Sequence, residues 1–230
     1  MSTPFAPKSI GTGDYSLSFW FKMSASATED HPYFVVFGAD EQATTATYNG
    51  VGLTQRSGTG YKVRINNSFG GYTFTTSSST SDVVAGTWYH FVLTRDGSDL
   101  ILYKNGSSFL TLGNAAVGNN DLADGDDLRI GYGYGAGSLG RNVYGNMDEF
   151  AVFGSVLSAA QVTNIYKGEE SGGSGGTNGV PGDLSTFSPL GWWRMGENNG
   201  GSGTTITDQG SGGNNVTLVN GPTFSTNVPS

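Results

Sequence analysis

The sequence predicts an all-β protein, an antiparallel β-sandwich of the jelly-roll type with one short helix near residues 158–167. Three observations predict this class. Apolar and polar residues alternate in many short segments, Asx-Gly pairs join neighbouring segments, and glycine is abundant, at 38 residues without a collagen repeat. A chain of 230 residues can bury one sizeable core, so a single sandwich accounts for its length.

Alternation is clearest at residues 14–23, where every second residue from Tyr15 to Met23 is apolar. This period of two predicts a half-buried strand. Trp20 falls on the opposite, more polar face, so either a partner or the predicted helix must cover it. Further strands are predicted at 33–38, 50–54, 61–66, 71–76, 127–132 and 146–153.

The strongest local unit runs from Thr87 to Leu112. Three β-prone segments are joined there by Asp96-Gly97 and by Asn105-Gly106. Asx-Gly pairs adopt the positive φ angles that tight hairpin turns require. The unit is therefore predicted to be a three-stranded antiparallel meander.

The predicted helix has a clear start and end. Ser158 and Gln161 have the spacing of a capping box, the apolar residues that follow form one stripe, and Gly168 ends the pattern. The sequence therefore predicts a jelly-roll core over residues 1–168.

Composition changes after Gly168. Residues 169–189 are rich in Gly and Ser and are predicted to be a flexible linker, and residues 190–230 contain two more strand patterns. Two strands cannot bury Trp192 and Trp193 alone. These tryptophans are therefore predicted to be assembly residues, which complete either the sandwich of their own chain or that of a neighbouring subunit.

Charge and composition exclude several function classes. The chain has 11 basic and 19 acidic residues, a net charge of −8, and no cluster of Lys or Arg, so nucleic acid is not an expected partner. No apolar run is long enough to predict membrane insertion, and no signal peptide is evident at the start, so synthesis in a cytoplasm is expected. The absence of Cys excludes disulfide and thiolate chemistry.

Four motifs in order carry a family resemblance. They are the hairpin at 87–106, the strand at 15–22, Leu128–Gly131, and the segment 145–166 that begins with Gly-Asn-Met-Asp-Glu. They resemble laminin-G-like jelly rolls of the concanavalin A-like lectin/glucanase superfamily. The opening segment of that family resembles residues 192–215 here, which implies a circularly permuted order.

The Trp-Trp-Arg-Met-Gly run at 192–196 is similar to laminin-G-like proteins of marine tailed phages. This resemblance implies a virion or another extracellular surface assembly as the place of action. A virion protein is made in a host cytoplasm without a signal peptide, which fits the start of this chain.

Catalysis is not predicted. Some sandwich glucanases of the superfamily carry spaced acidic residues on one strand, whereas Asp148 and Glu149 are adjacent and are expected to point to opposite faces. Such a pair cannot flank a glycosidic bond. The two histidines, His31 and His90, give no support for a nucleophilic triad, and His90 is predicted to be a packing residue.

The resemblance implies that Asp148 can ligate calcium at the rim of the sandwich. Calcium takes six to eight oxygen ligands, and Asp14 and Asp126 are the other candidates, the latter in the acidic loop 121–127. The alternative is that these carboxylates are solvated turn residues.

The glycine-rich run 131–140 contains a G-x-G-x-x-G pattern, but no βαβ unit surrounds it, so a dinucleotide site is not predicted. Tyr132 and Tyr134 in this run are candidates for stacking on a sugar. The alternative is that they cover the core.

Two functional hypotheses follow. The first is a non-catalytic structural, decorating or adhesion protein of a phage virion or extracellular assembly, whose partners are further copies of itself or other virion proteins. The second is a calcium-dependent, lectin-like module that binds surface glycans.

Overall fold

The computed structural model describes residues 10–24, 82–113 and 142–230, and between these ranges residues 117, 122 and 128–131 and the course of further strands. The helix α1 spans Ala159–Tyr166. In chain order the strands are β1 (Ser2–Thr3), β2 (Tyr15–Met23), β3 (Tyr33–Gly38), β4 (Gly50–Arg56), β5 (Lys62–Asn67), β6 (Thr73–Thr76), β7 (Trp88–Asp96), β8 (Asp99–Lys104), β9 (Ser107–Gly113), β10 (Leu128–Ile130), β11 (Tyr134–Gly135), β12 (Ser138–Leu139), β13 (Gly145–Phe153), β14 (Gly191–Trp193), β15 (Thr205–Ile206) and β16 (Val216–Thr217).

Two antiparallel sheets form the sandwich. One has six strands in the order β14-β13-β2-β7-β8-β9, and the other has eight in the order β15-β16-β1-β10-β3-β4-β5-β6. The pairings β2 with β7 and β13 with β2 are antiparallel. This architecture confirms the predicted all-β, antiparallel sandwich.

The main core lies between the sheets and is rich in aromatic rings. Phe19 of β2 packs on Phe150 of β13, with 5.7 Å between ring centroids, and Trp193 of β14 is fully buried in the same cluster. Burial of a large apolar side chain stabilises the folded state by about 1.5–3 kcal/mol. The alternate residues of β2 from Tyr15 to Met23 all face this core, as predicted.

The meander at Thr87 to Leu112 is confirmed as β7, β8 and β9. Asn105 and Gly106, with φ angles of 51° and 78°, form the two-residue turn between β8 and β9. Two positive φ angles in succession are the signature of a type I′ turn, whose twist matches that of the paired strands.

The helix α1 covers the outer face of the six-stranded sheet. Gln161 N donates to Ser158 Oγ at 3.3 Å and Ser158 N donates to Gln161 Oε1 at 2.9 Å, which confirms the capping box. Tyr166 stacks on Trp20, with ring centroids 5.9 Å apart. The helix, rather than a partner, therefore covers Trp20.

His90 lies beside Trp20 and is a packing residue. Its Nε2 is 2.9 Å from Ser18 Oγ, and the ring centroids of His90 and Trp20 are 4.9 Å apart. Burial lowers the pKa of His90 to about 3, so the ring is neutral at physiological pH.

The segment predicted to be a linker packs on the same outer face. Leu184 and Phe187 join a second apolar cluster with Val162 and Ile165 of α1, and Gly176 N donates to Glu169 Oε1 at 2.7 Å.

No helix among the described residues has the length and apolar character needed to cross a lipid bilayer.

The C-terminal residues 190–230, called the tail here, dock onto the sandwich of their own chain. The strand β14 extends the six-stranded sheet by pairing with β13, and β16 pairs with both β15 and β1 of the other sheet. In this single chain Trp193 is buried in the main core and Trp192 in the second apolar cluster.

Candidate functional site

A cleft of about 850 Å³ lies where the tail meets the sandwich. Residues 142–148, which comprise the segment before β13 and its first four residues, line one side. Residues 195–197 and 218–225 of the tail line most of the rest. The tail, which adds strands to both sheets, therefore also builds part of the cleft.

A β-bulge shapes the wall formed by β13. The register with β2 shifts between Asp148 and Ala151, and Glu149 has a φ angle of 48°. A bulge inserts an extra residue, so side chains no longer alternate across it. The expectation that Asp148 and Glu149 point to opposite faces is therefore wrong, because carboxylate oxygens of Asp148, Glu149 and Glu197 all lie within 4.8 Å of one another.

Glu149 forms an ion pair with Arg194 of the tail. Arg194 Nε donates to Glu149 Oε1 at 2.9 Å, and the Trp192 indole N–H donates to Oε2 at 2.6 Å. Burial raises the pKa of Glu149, while Arg194 and the Trp192 hydrogen bond oppose that rise. Both carboxylate oxygens thus tie the tail to β13.

Asp148 lines the cleft although it is only 4% exposed. Its Oδ1 accepts a hydrogen bond from Glu149 N at 2.9 Å. Burial, followed by the charges of Glu197 and Glu149, raises the pKa of Asp148 to about 7. Neither Asp148 nor Glu197 has an ion-pair partner in the described part of the chain, and Arg194, which is paired with Glu149, offsets their negative charge only in part.

This arrangement predicts a pH-dependent effect of Asp148→Asn. The pKa of Asp148 rises from 3.8 to about 7 on folding, so the native state binds the proton more tightly and loses stability as pH rises between these values. The variant should be more stable than the parent at pH 8, on the order of 2 kcal/mol, and should differ less at pH 5. Urea unfolding at both pH values measures this, with exposed Asp183→Asn as control; an equal difference at both pH values would contradict it.

The structure does not bring Asp14 to Asp148. Asp14 is exposed just before β2, where its Oδ1 accepts a hydrogen bond from Gly97 N at 2.9 Å and caps the β7–β8 turn. Asp148 pairs with Trp20, and the intervening length of β2 spans about 20 Å at the usual rise of a strand. One ion cannot contact both carboxylates.

The other predicted site residues are placed only in part. Asp126 and Tyr132 lie outside the described residues, as do His31 and most of the loop 121–127. Tyr134 is described only as the first residue of β11.

Sequence reasoning missed two residues of the cleft. Tyr144 is 40% exposed and lines it, and Glu197 reaches Asp148 from the tail. Tyr144 directly precedes the Gly-Asn-Met-Asp-Glu motif, a signal that could have drawn attention to it. Glu197 had no comparable signal, because its contact with Asp148 depends on how the tail docks.

Asp208 joins β14 to the loop 208–214 within the tail. It is 8% exposed. Its Oδ1 accepts hydrogen bonds from Trp192 N and Gly210 N, both at 2.8 Å, and its Oδ2 accepts from Asn214 N at 2.7 Å. One buried carboxylate therefore satisfies three backbone donors that would otherwise be unpaired.

Comparison with known families gives one match, to the concanavalin A-like lectin/glucanase superfamily over residues 2–163. No curated protein sequence matches the chain.

Solved structures of carbohydrate-binding proteins share the fold. The CBM40 of the Ruminococcus gnavus IT-sialidase, bound to α2,3-sialyllactose, has a TM-score of 0.54 at 13% identity over 72% of this chain and 91% of that one. A Bacteroides ovatus protein to which carbohydrate binding has been assigned has a TM-score of 0.62 at 15% identity over 95% of this chain. This chain spans about half of the Bacteroides protein, at 55%.

A leech intramolecular trans-sialidase is also similar, with a TM-score of 0.53 at 13% identity over 68% of this chain and 23% of that one. At these identities the likeness establishes a shared fold.

Proposed function

Because the chain belongs to the concanavalin A-like lectin/glucanase superfamily, we propose that it is a non-catalytic carbohydrate-binding domain whose ligand occupies the cleft. The observation that carries the proposal is the composition of the cleft lining. An exposed aromatic ring, Tyr144, lines the same cleft as the carboxylates of Asp148 and Glu197 and the amides of Asn146 and Asn227. A concave site with a few convergent polar groups is the usual form of a ligand site.

The geometry of the carboxylates supports a role in binding rather than hydrolysis. Glycosidases place two carboxyl groups about 5–5.5 Å apart when they retain configuration and about 6.5–9.5 Å apart when they invert it. One carboxylate oxygen of Asp148 lies within 4.8 Å of one of Glu197, which is shorter than either of these separations. Glu149 is unavailable because both of its oxygens are hydrogen-bonded.

The proposal is tested by a glycan array followed by calorimetric titration of any bound glycan. Tyr144→Ala should weaken binding about 3- to 10-fold, because an aromatic contact is worth about 0.5–1.5 kcal/mol. The melting temperature should stay unchanged, since Tyr144 is 40% exposed. Val180→Ala, an exposed apolar residue that does not line the cleft, is the control. Absence of glycan binding, or release of hydrolysis products, would overturn the proposal.

We also propose that calcium is held in this cleft by Asp148 and Glu197. The support is the absence of an ion-pair partner for either carboxylate in the described chain and the raised pKa of Asp148 that accompanies it. Calcium prefers such oxygen ligands, and when bound it would supply the compensating positive charge.

Calcium titration followed by the melting temperature tests this second proposal. Calcium should raise the melting temperature of the parent chain, and Asp148→Asn should remove that rise. Asp14→Asn should not, because Asp14 lies at the other end of β2. No rise in the parent, or loss of the rise in Asp14→Asn, would contradict these ligands.

The domain is further proposed to act on a virion or another extracellular assembly, in contact with its own copies or with other virion proteins. The Trp-Trp-Arg-Met-Gly run of the tail is the feature that supports this setting.

The tail can dock on its own chain or exchange with a neighbouring subunit, and light scattering at high protein concentration distinguishes these two arrangements. A monomer whose tail resists protease supports same-chain docking, whereas a concentration-dependent dimer supports exchange of the tail.

A further inference from the structure

The charges that face the cleft are of one sign. Asp148 and Glu197 are the charged residues among the described lining, and neither Lys nor Arg contributes to it. Arg194 lies close by, but its guanidinium is hydrogen-bonded to Glu149. Three carboxylates and one guanidinium give this cluster a charge of −3 + 1 = −2 when all four groups are ionised.

The remaining polar lining is uncharged. Asn220, Thr223, Ser225 and Asn227 of the tail also line the cleft, and their side chains can both donate and accept hydrogen bonds. An ionised carboxylate only accepts. At pH 8, where Asp148 is mostly ionised, a ligand that faces Asp148 and Glu197 must therefore donate to them, as sugar hydroxyl groups do and as a sugar carboxylate or sulfate cannot.

We infer that, when no divalent cation is bound, Asp148 and Glu197 determine specificity, so that the cleft binds uncharged saccharides and rejects glycans that carry carboxylate or sulfate groups. This inference rests on the proposed carbohydrate-binding function and specifies the ligand class. The repulsion acts in a partly buried cleft, where like charges a few ångströms apart are screened less than in water. The Ruminococcus gnavus CBM40 is bound to sialyllactose, an anionic glycan, so the two proteins would share a fold and differ in the charge of their ligands.

A glycan array with matched pairs tests the inference. Each neutral glycan is printed beside its sialylated, uronic acid or sulfated counterpart, for example lactose beside 3′-sialyllactose. Binding is measured at pH 8, where Asp148 is mostly ionised, and in EDTA, so that no divalent cation offsets the charge of the carboxylates. The parent chain should bind neutral members at least 10-fold more tightly than their anionic counterparts. This preference should shrink as NaCl is raised, because salt screens charge repulsion.

Charge-removing variants identify the responsible residues. Glu197→Gln changes an exposed side chain, so the fold should be retained, and the double variant Asp148→Asn/Glu197→Gln removes both charges from the lining. Each should reduce the neutral-to-anionic preference, and the double variant should reduce it at least 5-fold. Asp183→Asn removes an exposed carboxylate that does not line the cleft, and it should leave the preference unchanged.

The outcomes separate the two claims. Equal or tighter binding of the anionic counterparts by the parent chain overturns the inference while the carbohydrate-binding function stands. The same holds if the double variant keeps the full preference of the parent. A chain that binds no glycan of either kind overturns the carbohydrate-binding function, and the inference falls with it.

Discussion

Asp208→Ala is expected to lower the free energy of unfolding by about 4 kcal/mol. The carboxylate accepts hydrogen bonds from Trp192 N, Gly210 N and Asn214 N, and bonds to a charged acceptor contribute about 1.5–3 kcal/mol each, although not additively. Alanine would leave three backbone donors in a mostly buried place without an acceptor. Because these donors lie in the tail, the loss should loosen the tail first.

Urea unfolding and limited proteolysis measure both parts of this prediction. New cleavage sites should appear in residues 195–215, and any glycan binding should weaken because the cleft loses its tail wall. Asp183→Ala is the control, since Asp183 is an exposed aspartate that accepts a hydrogen bond from Ser185 N. This substitution should lower the free energy of unfolding by less than about 1 kcal/mol. An effect of Asp208→Ala no larger than the control would show that the tail is held by other contacts.

Arg194→Met should destabilise the fold by about 3 kcal/mol at pH 8. Removal of one partner of a buried ion pair leaves an uncompensated charge, which costs about 3–5 kcal/mol, and the lower end applies because the Arg194 side chain is 35% exposed. Methionine keeps apolar contact with the Trp192 ring, over which the guanidinium lies at 5.4 Å. The change therefore isolates the charge on Glu149.

The cost of Arg194→Met should fall at pH 5. Burial already raises the pKa of Glu149, and loss of Arg194 raises it further, so the variant can take up a proton at acidic pH and avoid the buried charge. The double variant Arg194→Met/Glu149→Gln should recover most of the lost stability at pH 8. A cost independent of pH, or no recovery in the double variant, would mean that packing rather than charge accounts for the effect.

The parts of the fold that depend on local sequence could be predicted. Alternation located β2 to within one residue, Asx-Gly pairs located both turns of the meander, and the Ser158–Gln161 pair located the start of α1. Each of these signals acts between residues that are close in the chain, so it can be found without knowledge of the tertiary structure.

The candidate site could be predicted only in part. Asp148 was identified through the family resemblance, but the bulge at Glu149 places a non-glycine residue at positive φ, which no residue type in that segment signals. The contact between Glu197 and Asp148 depends on the docking of β14 beside β13. Neither the bulge nor this long-range docking leaves a periodic pattern in the sequence.

The most direct test of the account is a crystal structure of the calcium-free chain with the tightest-binding neutral glycan from the array. We expect the sugar in the cleft, with a face against Tyr144 and hydroxyl groups donating to Asp148 and Glu197. Binding of the sugar at another surface, with these three residues free of contact, would contradict the assignment of the cleft as the carbohydrate site.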